Sequence, residues 1–337
     1  MKGKSGKRKI LLWIGLALFP VVAAAVCLFI GRLSISPKEA LETVWNAITG
    51  SKETNVVFST ILRLRLPRIL TALAVGAGLS IAGASFQSLF VNPLATPDTV
   101  GVASGASFGA ALGILLHMGT AGTQALSFLS GIAAVTLTVL AGTGKKRNLN
   151  SVVLSGIMIG SLFSALVSLV KFTADSESEL PAITYFLLGS FASPSYEKLL
   201  IGLVPITVGI VTLFLLRWRM NLLLYSEEEA RSFGVNLRAL RIVVLASATL
   251  VTSSCIAMCG QVGWIGLLVP HMCRMAFRND HRPLLPASLL LGSGFMVIVD
   301  TLARSVSRSE IPVSVLTALV GAPFFIYLMR KKGGWTL

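Results

Sequence analysis

An all-α integral membrane protein with about ten transmembrane helices is predicted by three features of this 337-residue chain. Hydrophobic residues make up 54% of it and charged residues only 13%, with a mean hydropathy of +0.81. A soluble protein of this length needs far more charge to cover its surface. Uncharged apolar runs of the length that crosses a bilayer, about 20 residues, recur along the whole chain. The basic residues, 29 Lys and Arg against 14 Asp and Glu for a net charge of +15, gather in short clusters between those runs. That spacing suits loops that meet anionic lipid and argues against nucleic acid as a partner.

The elements follow in order within a single transmembrane domain, 1–337. Residues 1–9 are a basic tail. Residues 10–31 carry no charge and look at first like a secretory signal, but no small-residue cleavage site precedes Arg32. They are expected to persist as the first span. An extracytoplasmic segment (33–67) precedes spans 2–6 (68–217), a cytoplasmic loop (218–240) and spans 7–10 (241–331). Further charge-free runs occupy 69–97, 99–144, 148–170, 199–216, 242–273, 283–299 and 311–329. Two of these are too long for one crossing. Glycine loosens helices, so 99–144 should divide at HMGTAGT (117–123) and 242–273 at CGQVGWIG (259–266). The shorter stretch 180–196 reads as a re-entrant or interfacial segment.

An even number of spans puts both ends on one side. Both ends are basic, so that side is cytoplasmic, and most of the remaining Lys and Arg fall there by parity. RLRLPRIL (63–70) lands outside instead. Arg63, Arg65 and Arg68 break the local rule, as do Arg304 and Arg308. Pro67 fixes the backbone between Arg65 and Arg68, so the two are expected to project from a rigid turn. Lipid anchoring by snorkelling guanidinium groups is the ordinary alternative.

Gly101, Gly105, Gly109 and Gly113 recur every fourth residue and form a smooth helix strip that lets a neighbour approach; Gly156 and Gly160 repeat the device. Packing inside one subunit is the plainer use, a dimer seam or pathway wall the alternative. Intramembrane acids are scarce. Asp300 lies four residues before Arg304, so the two are expected to pair on one helix face. Cys27, Cys255, Cys259 and Cys273 lie in apolar segments, where reduced thiols are ordinary. Cys255 and Cys259 share a face, with His271 and Cys273 further on, but no acid accompanies them and no metal centre is expected. AGTGKKRN (141–148) lacks the first glycine of a phosphate-binding loop and has Lys146 where Ser or Thr must hold magnesium. No paired carboxylates or Ser-His-Asp set suggests an enzyme. A permease without its own energy source remains: a passive channel, or a subunit driven by another.

The loop YSEEEARSFGVNLRALR (225–241) is where such work would arrive. Ser226 is a good N-cap and Glu229 completes a capping box; Glu227 and Glu228 suit the positive end of the helix. Gly234 ends this short helix, and VNLRALR is expected to start a second one that leads into the seventh span. The alternative is a solvated charged loop.

This stretch resembles the coupling loop of ATP-binding-cassette importers. RLPRILTALAVGAGLSIAGASFQSLFVNPLATPDTVGVASGASFG (65–109), GWIGLLVPHMCR (263–274), DHRPLLPASLLLG (280–292), DTLAR (300–304) and EIPVSVLTALVGAPFFIYL (310–328) together resemble the permease subunit of type II importers. That family takes up iron–siderophore, haem and cobalamin. Gln261 departs from its usual proline, and Ser314 from its usual glycine. The resemblance implies a homodimer or close heterodimer of ten-helix subunits in the cytoplasmic membrane of a prokaryote. Two ATPase subunits, which bind ATP and Mg, and an extracytoplasmic binding protein are the implied partners; this chain is expected to hold no cofactor. It also implies roles for particular residues. Glu227, Glu228, Glu229, Ala230, Arg231, Gly234 and Val235 would couple to the ATPase. Asn148, Leu149, Asn150 and Ser151 would gate the path at its cytoplasmic end. Arg65, Arg68 and Arg304 would receive acidic residues of the binding protein. A passive channel or secondary carrier is the alternative from another class.

Overall fold

Inside a bilayer no water satisfies the backbone, so each apolar run must close its hydrogen bonds internally as a helix. The computed structural model describes residues 2–31, 33, 35–49, 56–142, 149–307 and 309–332, and among them regular structure is helical throughout. In order come α1 (Lys2–Phe29), α2 (Pro37–Thr49) and α3 (Val56–Phe58). The last continues through a π-helical stretch (Ser59–Arg65) into α4 (Leu66–Leu89). Then follow α5 (Val102–Leu115), α6 (Gly119–Gly142), α7 (Leu149–Thr173), α8 (Glu179–Leu187) and α9 (Tyr196–Met220). The chain ends with α10 (Glu227–Ser232), α11 (Leu237–Cys259), α12 (Ile265–Phe277), α13 (His281–Ser305) and α14 (Val313–Lys332). Among the described residues, seven segments are long and apolar enough to cross a membrane, and three shorter apolar helices accompany them. The chain is a multi-pass membrane protein.

Both expected divisions occur: α5 gives way to α6 between Leu115 and Gly119, and α11 to α12 between Cys259 and Ile265. Residues 180–196 begin within a helix of only 9 residues, shorter than a crossing needs. Their helix, α8, ends at Leu187, and the following turn is tied by Ser190 N to Cys259 O (2.8 Å) and by Val313 N to Gly189 O (2.9 Å).

α4 is the hub of the bundle, packed against α13, α11, α12 and α9. A Cβ built on Gly83 would lie 2.0 Å from the Gly266 carbonyl oxygen, and one on Gly76 2.3 Å from that of Gly292. The backbones of α4, α12 and α13 therefore touch, which glycine permits. The strip of α5 does the same within this subunit. Gly105, Gly109 and Gly113 lie against Ser130, Leu126 and Thr123 of α6, and Gly101 faces Gly156 and Gly160 of α7. At the periphery, α7 leaves Leu154, Met158, Leu162, Leu169 and Phe172 exposed.

Several expectations need correction. α1 begins at Lys2, so the basic tail continues the first helix. The segment 33–67 contains the amphipathic α2 and the start of the second span, which reaches back to Val56. Pro67 stands in no turn. It lacks an N–H, and the helix widens ahead of it, with Leu66 N bonding Ile61 O in π register, so the chain passes the proline as one element. The expected second short helix after Gly234 is instead the first turn of α11, capped by Asn236, whose side chain accepts from Arg238 N and Ala239 N.

Candidate functional site

Two ends of the bundle carry the polar residues singled out above. At one end the chain brings together the C-terminus of α1, the π-helical stretch, and the C-terminus of α13. Arg65, Arg68 and Arg304 are only 4%, 7% and 8% exposed there. Arg68 forks between two acids. Its Nε and Nη2 donate to Asp300 (2.8–3.0 Å), and its Nη1 and Nη2 donate to Glu310 (2.9 and 3.0 Å). Asp300 therefore forms its salt bridge with Arg68, across 232 residues, and not with Arg304 as the helical spacing suggested. The fork geometry of the guanidinium favours this, since a planar donor pair matches a carboxylate in both directions.

Arg65 and Arg304 turn to the end of α1. Arg65 donates to Leu28 O (2.7 Å), Phe29 O (3.2 Å) and Leu33 O, and Arg304 donates to Cys27 O (2.6 Å). The last carbonyls of a helix have no partners of their own and carry the negative end of its dipole, so two cations suit them. Gly31 makes room: a Cβ there would lie 2.6 Å from Arg65 Nη2 and 2.9 Å from Arg304 Nη1. These groups border a cavity of about 320 Å³, lined also by Leu33, Leu64 and Glu310. Arg63 is exposed, and Arg308 lies outside the described residues. Glu310 was missed by the sequence reading; an acid at the arginine-bearing end, just before the last span, was the available signal.

The opposite end carries α10. Ser226 N donates to Glu229 Oε2 (2.9 Å) and Glu229 N donates to Ser226 Oγ (3.3 Å), the reciprocal capping box that the sequence announces. The Ser226 backbone N–H and the Ser226 hydroxyl, which donates to the same Oε2 at 3.0 Å, hold the exposed Glu229 carboxyl below its ordinary pKa. Val235 N closes on Ala230 O (3.1 Å), and Gly234 takes φ +71°, where a side chain is strained. Ala230 is fully buried against Leu222, Leu223, Leu237 and Leu240, so the short helix is seated on the bundle. Glu228, Glu229, Ser232 and Gly234 face solvent, as does Phe233, which meets Tyr225 edge-on at 6.2 Å. Glu227 and Arg231 belong to the helix, but their side chains lie outside the described residues. Of the four positions expected to gate the path, Asn148 lies outside them entirely. Leu149 and Asn150 open α7 with only their backbone described, and Ser151 is half-buried.

Both departures from the family pattern make a bond. Gln261 Nε2 donates to Asp98 Oδ1 (3.1 Å), linking the α11–α12 break to the turn before α5. Ser314 Oγ donates to Leu188 O, fastening α14 to the end of α8.

Comparison with known proteins supplies the family. The chain is 41% identical over 324 residues to the molybdate import system permease protein MolB of Haemophilus influenzae, covering 95% of this chain and 96% of that one. It is 36% identical over 323 residues to a probable iron chelatin transport system permease protein of Helicobacter pylori, covering 95% and 98%. Among solved structures, a metal-chelate type ABC transporter in an inward-facing conformation matches with a TM-score of 0.84 and 40% identity, over 96% of this chain and 99% of that one. Residues 18–331 match the FecCD transport family. The chain belongs to that family, and is the permease subunit of an ABC importer, with the ATPase a separate subunit.

Proposed function

We propose that two copies of this chain form the membrane core of an ATP-driven importer in the cytoplasmic membrane of a prokaryote. The cargo is an iron–siderophore or similar metal chelate, such as haem or cobalamin, delivered by an extracytoplasmic binding protein. The observation that carries the reading is α10, a capped helix anchored by Ala230 that offers Glu228, Glu229 and Phe233 outward. A loop with no partner needs neither the cap nor the seat. Two ATPase subunits, holding ATP and Mg, would grip this helix, and its end of the bundle is then cytoplasmic. The cavity bordered by Arg65, Arg68 and Arg304 faces the other side and receives acidic side chains of the binding protein. Arg68 is already matched by two carboxylates, so Arg65 and Arg304, whose hydrogen bonds end on carbonyls, supply the attraction. The exposed face of α7 lines the path between the two copies, with Asn148, Leu149, Asn150 and Ser151 at its cytoplasmic mouth.

One observation favours a second cargo: the relative at 41% identity is named for molybdate import, so a small oxyanion is the alternative. The test is ATP hydrolysis by the reconstituted complex of permease, ATPase and binding protein, with ferric siderophore, haem, cobalamin or molybdate added in turn. Stimulation by a chelate supports the reading, and stimulation by molybdate alone moves the cargo to the oxyanion. Transport by the permease without ATPase would return the chain to a passive channel or secondary carrier.

A further inference from the structure

At the α10 end a chain of side-chain bonds joins elements far apart in sequence. Asn221 opens the 3-10 turn (Asn221–Leu224) that leads from α9 towards α10. Its Nδ2 donates to Asp280 Oδ1 at 3.0 Å. Its Oδ1 accepts the His281 backbone N–H at 2.9 Å and lies 2.7 Å from His281 Nδ1. Asp280 is the N-cap of α13. The backbone donor fixes the Asn221 amide, because only its oxygen can accept. Nδ1, facing the same oxygen, therefore carries the ring proton, and a neutral ring presents a bare Nε2. On the last turn of α4 that nitrogen meets the Ser88 hydroxyl, whose single proton is shared between it and the Ala84 carbonyl 2.8 Å away. His281 is 3% and Ser88 4% exposed, so solvent does not compete for these bonds.

α4 ends just beyond. Asn92 N closes on Gln87 O at 3.0 Å across Val91. Val91 holds φ +48°, a region that a β-branched residue enters only under strain. Gln87 also donates to Gly266 O of α12 at 3.1 Å and accepts from Arg274. The strained turn is thus pinned from two sides, by α12 through Gln87 and by α13 through His281 and Ser88, with Asn221 of the turn before α10 behind His281. Strain held in place by a few bonds is how a packed protein keeps a second arrangement within reach.

We infer that Asn221, His281 and Ser88 are a positioning relay, through which displacement of the α10 segment reaches the turn that ends α4. The inference rests on the proposed docking of α10 to an ATPase. None of the three touches cargo; each acts through the next.

An asparagine at 281 places its amide nitrogen where Nδ1 stands, and a glutamine places its terminal group near Nε2. His281→Asn therefore keeps the link to Asn221, and His281→Gln keeps the link to Ser88. In the reconstituted complex each of these, and Ser88→Ala, is expected to leave assembly and ATP hydrolysis in place. Cargo moved per ATP falls about fivefold, the factor that one buried hydrogen bond supports. Spin labels at Ser232 and Leu94 should shift together when ATP is added to the parent, and independently in the variants. Unchanged cargo per ATP in both 281 variants overturns the relay. So does loss of assembly and hydrolysis in step with thermal stability, which is a packing role only. A parent complex that responds to no cargo would sink the importer reading, and the correlation of the two labels then decides the relay by itself.

Discussion

Arg68 has more donors than one carboxylate can fill, and two acids from distant parts of the chain share it. With Asp300 1% exposed, this pairing is a condition of burial, since removing one partner leaves the other charged in a medium that cannot solvate it. Arg68→Met should therefore cost about 3–5 kcal/mol, read as a lower melting temperature in detergent, and adding Asp300→Asn should recover much of that loss. Arg65 and Arg304 behave differently because their acceptors are neutral carbonyls. Arg65→Gln with Arg304→Gln keeps donors for the end of α1 while removing two charges from the cavity. Binding-protein affinity is expected to fall in a salt-sensitive way, with basal ATP hydrolysis intact. Equal affinity at low salt would reduce both residues to caps of α1.

α10 was legible because everything that makes it is local. Ser226 and Glu229 stand three apart and Gly234 follows, so the cap and the stop can be read without knowing what lies nearby. The continuation was half-legible: VNLRALR was expected to lead into the seventh span, but nothing within it announces that it is the first turn of that span and not a separate helix. The start of α4 was misread for a related reason. Arginines and a proline look like a boundary, and only the π register lets the helix pass through them. Gly234→Val should strain the φ +71° turn by on the order of 1–3 kcal/mol and detach α10 from its seat. The expected outcome is a permease that reaches the membrane but loses ATPase association, and normal transport would leave a solvated loop. Acidity tests the cap separately. The folded pKa of Glu229 is depressed by its bonds to Ser226, so the cap is complete at neutral pH and is lost as pH falls through that lowered value. ATPase affinity should weaken over that window in the parent and less so in Glu229→Gln, which keeps an acceptor that cannot ionise.

For the molecule as a whole, the long apolar helices, the shorter apolar ones and the two hidden divisions followed from composition and glycine alone. The partners of the odd arginines did not, because Arg68 and Asp300 meet only once α4 and α13 are side by side. Orientation can be tested directly. All four cysteines are buried, so a single added cysteine can be read against the native background with an impermeant thiol reagent. Cysteines at Lys52 and Ser309 should react in intact cells, and those at Lys146 and Ser232 only after permeabilisation. Labelling of position 146 from outside would invert the topology.

The clasp on α1 also sets an order of events during synthesis. The carbonyls of Cys27, Leu28 and Phe29 leave the ribosome early. Arg65 arrives with the next span, but Arg304 comes only with the ninth. Until then α1 is half-fastened, a loose first helix in contact with lipid or with the insertion machinery. Chains arrested before residue 304 should therefore leave α1 open to crosslinking by its surroundings, and chains arrested after the tenth span should not. The last turn of the first helix is finished almost at the end of translation.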